Sequence, residues 1–350
     1  MDKILLVGAA GYFGSKLQEY LIKKGINFEV ADINYFEKCI IFKKNREKIL
    51  NRCASKLNED YLKEFNIIIG FAGYSNNPIF KKSEKKYHNK EYKYLTRIAK
   101  ICKKYSINFI FPSSCSVYGA SKKKTFLKES EIPNPITHYS KNKIKIEKYL
   151  LKISNNNFKP IIMRFATIYG LSRKMRFDLV INMFCGSAIT TKKIELNSNG
   201  KVNRPFLEIS DACSAIYKVL KNKKKIKGQI YNIGSNKDNF QIIDVARMVQ
   251  KRVKNSKIIF LKSEKKFVSD NLIKNGKDKR NYKINFEKFS KIFNFKTKYK
   301  LQNGIKKLVS DLKRLKLNKK KFYSVKFYRL QYLQELYKKN KVDKNLNFIN

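Results

Sequence analysis

Three glycines near the start of the chain constrain its fold more than any other feature. They lie in Lys3-Ile-Leu-Leu-Val-Gly-Ala-Ala-Gly-Tyr-Phe-Gly14, where an apolar run over residues 3–7 leads into Gly8, Gly11 and Gly14. A helical pattern follows, from Tyr12 to Lys24. A short apolar run of this kind reads as a parallel strand buried on both faces. Glycines after it permit a tight turn, close approach of backbone to a pyrophosphate, and close packing of helix on strand. The helix start, with Tyr12 and Phe13 in its first turn, offers N–H groups and a positive dipole end to phosphates. A second strand, Phe28-Glu-Val-Ala31, leads into Asp32, at the spacing where a carboxylate bonds the ribose hydroxyls of a dinucleotide. A carboxylate there repels a 2′-phosphate, so NAD rather than NADP is the expected cofactor.

The rest of the chain continues the alternation. Residues 67–72 and 107–112 are further apolar runs separated by helical patterns, which argues a parallel sheet with helices on both faces. The run ending at Phe111-Pro-Ser-Ser-Cys-Ser-Val-Tyr-Gly119 is followed by Tyr139 and Lys143, four residues apart. On a helix these two share a face. A cation beside a phenol favours the phenolate, which makes Tyr139 a candidate general base or acid. Ser114 is placed to hydrogen-bond the same substrate oxygen.

With these residues in this order, the chain resembles the extended short-chain dehydrogenases/reductases, the NAD-dependent epimerase/dehydratase group that acts on nucleotide sugars. The resemblance runs from residue 1 to about Leu315. It implies a Rossmann-type doubly wound α/β fold with a smaller C-terminal substrate lobe. It places a catalytic triad on Ser114, Tyr139 and Lys143. It places cofactor contacts on Gly8, Gly11, Tyr12, Phe13, Gly14, Asp32, Phe71-Ala72-Gly73 and Asn89, as well as on Tyr139 and Lys143. Substrate contacts are implied at Thr167, Asn182, Arg204 and Arg280, the two arginines gripping a diphosphate. Gly70, Thr167 and Glu208 depart from the residues many relatives carry, and Thr167 bears on sugar identity.

The implied activity is that of an NAD-dependent nucleotide-sugar epimerase, an isomerase, working in surface-polysaccharide precursor synthesis. Dehydratases of the group carry Asp and Glu after the catalytic hydroxyl residue, where this chain has Cys115 and Ser116. A 4-keto-sugar reductase is the alternative, and a non-catalytic RNA-binding or regulatory protein is the reading from a different class. The triad favours an enzyme. A homodimer in the cytoplasm is expected.

The nucleotide lobe is expected over residues 1–170, completed by segments near 205–234. The substrate lobe is expected over 171–315, with a helix starting in Met175–Asn182, and a basic helical tail over 316–350 that packs on the body or on a partner subunit. No apolar stretch reaches the ~18 residues of a membrane span, and the five-residue apolar start is too short for a signal peptide. Six cysteines without metal spacing read as free thiols, and two histidines give no metal site. The net charge of +52 comes from 79 basic and 27 acidic residues spread along the chain. Lys, Asn, Ile, Phe and Tyr are all abundant, as an AT-rich genome produces. The charge therefore reads as solvated surface rather than a nucleic-acid face, though its field attracts anionic ligands.

Overall fold

The computed structural model describes residues 2–42, 49–74, 84–121, 125–261, 273–274, 277–278 and 280–349. The nucleotide half holds β1 (Ile4–Val7), α1 (Tyr12–Lys23), β2 (Glu29–Asp32), β3 (Ile49–Asn51), α2 (Glu59–Lys63), β4 (Ile67–Gly70), α3 (Glu84–Lys104), β5 (Asn108–Ser114), α4 (His138–Ile153) and β6 (Ile161–Phe165). Then come β7 (Thr167–Tyr169), α5 (Val180–Thr191), β8 (Lys193–Leu196), β9 (Asn203–Glu208), α6 (Ile209–Lys221), β10 (Ile230–Ile233), β11 (Asn239–Gln241), α7 (Ile242–Arg252) and β12 (Lys257–Phe260). The chain closes with β13 (Ile273–Lys274), β14 (Lys277–Asp278), α8 (Glu287–Phe293), α9 (Leu301–Arg314), α10 (Lys319–Phe322) and α11 (Arg329–Lys338).

Seven strands form one sheet in the order β10-β6-β5-β4-β1-β2-β3, with every neighbouring pair parallel. The order reverses at β1, and strand ends beside such a switch point form the crevice where open α/β sheets bind ligands. Helices cover both faces. Leu17 and Leu21 of α1 pack with Ala212, Ile216 and Val219 of α6 on one side. Leu95, Ile98 and Cys102 of α3 pack with Ile146 and Leu150 of α4 on the other. Parallel strands covered twice must be apolar throughout, and β1, β4 and β6 are buried along their whole length.

The segment near residues 205–234 divides. Strand β10 completes the main sheet beside β6, whereas β9 pairs with β7 and β11 in a separate three-stranded sheet. The second core lies between α5, α7 and α9, with β8 and β12 paired at its edge. Helix α5 begins at Val180 rather than within 175–179, because Met175 and Phe177 are buried in that core from an irregular segment. The tail packs on the body: Phe322 and Phe327 meet the Phe177 ring, with centroids 5.0 and 5.8 Å away. Its last residues dock beside β2 and α3, where Tyr87 Oη donates to Lys344 O at 2.6 Å and Tyr35 Oη donates to Leu346 O.

Candidate active site

The turn after β1 has the shape a dinucleotide requires. Gly8 has φ +79°, and a Cβ there would lie 2.2 Å from the Ala72 Cα. Only glycine fits both the backbone angle and that contact. A Cβ on Gly14 would lie 2.3 Å from Ala9 O, so α1 packs directly on the turn. Around a Cβ on Gly11, by contrast, nothing lies within 4 Å. That open space sits at the N-cap of α1, where unpaired N–H groups face an anion.

Asp32 closes this turn from β2. Its Oδ2 accepts the Ala10 N–H at 2.8 Å and its Oδ1 the Asn34 N–H at 2.6 Å. Burial pushes its carboxyl up, against the pull of these two N–H bonds and of Lys174 and Arg329 nearby. Each oxygen keeps a lone pair for a ribose hydroxyl. Phe71 and Ala72 both donate their N–H groups to Val7 O at 2.8 Å, which sets residues 71–73 directly beside the turn. The Phe13 ring meets Phe71 and Phe165 edge-on, at 5.3 and 5.1 Å. Tyr12 has its phenol committed to Gly170 O at 2.7 Å, leaving its backbone at the helix start for a ligand. The donor set fits a dinucleotide.

Ser114 ends β5 in register with Phe165 of β6. Its Oγ accepts the Ser116 N–H at 3.1 Å, so its own proton remains to be donated. Thr137 caps α4 through a reciprocal bond with Ser140, which fixes the helix start just ahead of Tyr139. The Lys143 Nζ lies 5.5 Å from the centre of the Tyr139 ring and 4.7 Å from that of Phe111 on β5. Lys143 is buried while Tyr139 is half-buried. One turn further along, Glu147 accepts bonds from Ser113 (2.5 Å) and from Arg164 of β6 (2.6 Å), seating α4 on the sheet. Cys115 is buried, donates to Arg164 O at 3.2 Å, and burial pushes its thiol far up. It is a packed, unreactive thiol.

Arg204 reaches the backbone of the segment that carries Arg280. Arg204 of β9 donates to Asn203 O at 2.8 Å and to Arg280 O, and its guanidinium lies 5.0 Å from the Tyr282 ring. Asn281 in turn donates its N–H to Gly119 O, linking this segment to the loop after Ser114. Thr167, half-buried on β7, lies beyond the end of β6.

Two of the expected contacts take other positions. Asn182 is fully buried: its Oδ1 accepts the Gly170 N–H, and its Nδ2 donates to Tyr12 Oη and to Arg176 O. Its hydrogen-bonding groups are spent inside the protein, where it ties α5 to the first turn of α1. Asn89 is exposed. Glu91, two residues on, faces inward instead. Two residues turn a helix by about 200°, so the two side chains point to opposite sides. Tyr87, His88, Leu95, Ile98, Ala99 and Cys102 define the buried stripe, and Glu91 falls in it. That phase was available in the sequence. Ser116 Oγ is a further polar group near Ser114, buried and without a hydrogen-bond partner among the described residues.

The model of the NAD dependent epimerase/dehydratase family matches residues 4–234. The chain belongs to this family. Among similar proteins, one from Methanocaldococcus jannaschii, itself uncharacterised, is 24% identical over 324 residues, spanning 87% of this chain and 94% of that protein. A dTDP-D-glucose 4,6-dehydratase of Dictyostelium discoideum is 28% identical over 277 residues, 71% of this chain and 62% of that protein. Among solved structures, the UDP-glucuronic acid 4-epimerase of Bacillus cereus, in complex with UDP-glucuronic acid and NAD, superposes with a TM-score of 0.72. It is 22% identical, with 89% of this chain and 99% of that one covered. The hexosamine 5,6-dehydratase TunA gives 0.73 at 17% identity, over 88% and 96% of the two chains. The family fold is therefore common to both, and epimerases and dehydratases share it. No helix among the described residues is long and apolar enough to cross a membrane.

Proposed function

We propose that this family member is an NAD-dependent nucleotide-sugar epimerase. The observation that carries the reading is the buried Lys143 ammonium, 5.5 Å from the Tyr139 ring on α4 and 4.7 Å from the Phe111 ring of β5, the strand that ends at Ser114, in a sheet whose first turn and Asp32 fit a dinucleotide. The Gly8–Gly14 turn and the start of α1 would hold the pyrophosphate, Asp32 the adenosine ribose, and Phe71–Gly73 the far side of the crevice. NAD, when bound, would supply a reversible acceptor for hydride from a sugar carbon.

Tyr139 removes the proton of the sugar hydroxyl and later restores it. The Lys143 ammonium favours the phenolate and orients the nicotinamide ribose. Ser114 donates its hydroxyl proton to the same sugar oxygen as charge develops there. Arg204 and Arg280 position the diphosphate, so binding energy far from the reacting carbon orients the sugar.

Epimerisation is favoured over dehydration by the residues after Ser114. Elimination of water calls for an acid and a base beside the sugar, and Cys115 and Ser116 provide no carboxylate. The reading carries with it an isomerase that works as a homodimer in the cytoplasm, on precursors of surface polysaccharide. Incubation with UDP-glucose, UDP-glucuronic acid and dTDP-glucose tests it. Conversion of one of them to its epimer, without net consumption of added NAD, is the expected result. A dehydrated product would refute it.

A further inference from the structure

Lys143 shares its buried surroundings with a carboxylate that the mechanism above leaves without a role. Glu91 of α3 is fully buried. Its Oε1 lies 3.4 Å from Lys143 Nζ. Its Oε2 accepts the Tyr74 N–H at 3.3 Å and lies 3.4 Å from His88 Nδ1. Gly73 makes the room: a Cβ there would sit 2.5 Å from Glu91 Oε1. Burial raises the carboxyl, and Lys143 with His88 outweighs it, so the net shift is downward. The carboxylate is the charged form at neutral pH. Burying an ion costs several kcal/mol unless a partner compensates, and Lys143 is that partner. Lys143 therefore stands between an anion on α3 and the phenol of Tyr139, with the Phe111 ring against it.

We propose that Glu91 is a positioning residue for Lys143: it holds the ammonium in place and, by partly cancelling its charge, sets the pH at which Tyr139 begins to act as a base. The inference rests on the roles given above to Tyr139 and Lys143. The other titratable and charged groups that act on this cluster are His88 and Tyr94 on α3, Tyr74 after β4, and Arg176, which interacts with Tyr139. The sign follows from charge alone. A cation near a phenol favours the phenolate, and an anion near that cation weakens the effect. In Glu91→Gln the amide oxygen still accepts from the ammonium, so Lys143 keeps its place while the opposing charge is gone.

The test compares wild type, Glu91→Gln and Glu91→Asp in full-length protein carrying NAD. Tyrosine labelled with ¹³C at the phenolic carbon is followed by NMR over pH, and Tyr139→Phe identifies the resonance. In Glu91→Gln that resonance should move to lower pH than in wild type. Wherever a nucleotide sugar is turned over, the acid limb of the pH–rate profile should move with it. Glu91→Asp keeps the charge and should stay nearer wild type. Glu91→Asn, neutral and smaller, serves the same comparison should Glu91→Gln fail to fold. An unmoved resonance in a folded neutral variant would overturn the inference, because a purely structural Glu91 would not affect it. The two readings fail separately: full turnover by Tyr139→Phe sinks the proposed function, whereas an inactive Tyr139→Phe with an unmoved resonance in Glu91→Gln sinks only the role of Glu91.

Discussion

Glu147 of α4 and Arg164 of β6 form a fully buried, bidentate ion pair, with Arg164 Nη2 donating to Glu147 Oε2 at 2.6 Å and Nε to Oε1 at 3.2 Å. Arg164 also donates to Tyr118 Oη at 2.9 Å, and Tyr118 passes the network to Asn232 of β10. Glu147 lies on the same helix face as Lys143 and Tyr139, one and two turns away. The pair thus sets the height and rotation of the helix that carries the proposed base.

Glu147→Ala should destabilise the protein by about 3–5 kcal/mol, because it leaves the Arg164 guanidinium buried without its counter-ion. Urea denaturation of the two proteins side by side checks this. A change within experimental error would mean that α4 is held by its apolar contacts alone.

Tyr139→Phe should fold like wild type and lose turnover by about 10²–10⁴-fold, the usual contribution of a general acid–base group. The ring stays in place, and no hydrogen bond from the phenol to the described residues is lost. Thermal melts and rates on any accepted nucleotide sugar report the two halves of this expectation. Wild-type rates in the variant would remove Tyr139 from the mechanism.

Asp32 should make the protein prefer NAD⁺ to NADP⁺. The carboxylate stands at the end of β2 with both oxygens held by backbone N–H groups, so it is fixed where a 2′-phosphate would sit. Asp32→Ala should narrow the preference. Titration of each dinucleotide into apo wild type and variant measures it, and tighter NADP⁺ binding by the wild type would reverse the assignment.

Much of this arrangement was legible in the sequence because it is local. The glycine turn, Asp32 and the spacing of Tyr139 and Lys143 are short-range patterns, and each maps onto one strand end or one helix face. What was not legible depends on pairing between distant segments. Asn182 reads as a polar residue in an apolar helix, and only the fold shows Gly170, Tyr12 and Arg176 using up its amide. Strand β9 reads like any buried strand, and nothing local shows that it pairs with β7 and β11 instead of joining β10. The docking of residues 341–349 against Tyr35 and Tyr87 joins residues more than 250 positions apart. Glu91 differs: the apolar stripe of α3 contained the phase that separates it from Asn89.

Arg204→Ala and Arg280→Ala should each weaken nucleotide-sugar binding while leaving NAD binding intact. A guanidinium suits phosphate oxygens, and Arg204 of β9 reaches the backbone of the segment that carries Arg280. Arg204→Ala should also cost some stability, since that side chain packs on Tyr282. Competition by UDP and dTDP against wild type and each variant is the measurement. Unchanged inhibition in both would place the diphosphate elsewhere.

Stability should fall as pH rises from about 4 to about 6, through Asp211. Burial pushes this carboxyl up to about 6, although it accepts the N–H groups of Tyr299 and Lys298. The unfolded chain ionises near its ordinary value of about 3.9 and so releases its proton first. The folded state loses on the order of 2–3 kcal/mol across that window and no more above it. Urea midpoints at about pH 4.5 and about pH 7 should differ less in Asp211→Asn than in wild type. Equal differences would show that the carboxyl is not raised.

The proposed chemistry, reversible oxidation of a nucleotide sugar by Tyr139, Ser114 and Lys143, leaves the composition of the sugar unchanged. Mass spectrometry of the nucleotide sugar before and after incubation with the purified protein tests this most directly. The expected result is a product of unchanged mass but altered chromatographic position, formed by wild type and not by Tyr139→Phe. A product lighter by one water, or one that gains two hydrogens as NADPH is consumed, would contradict it.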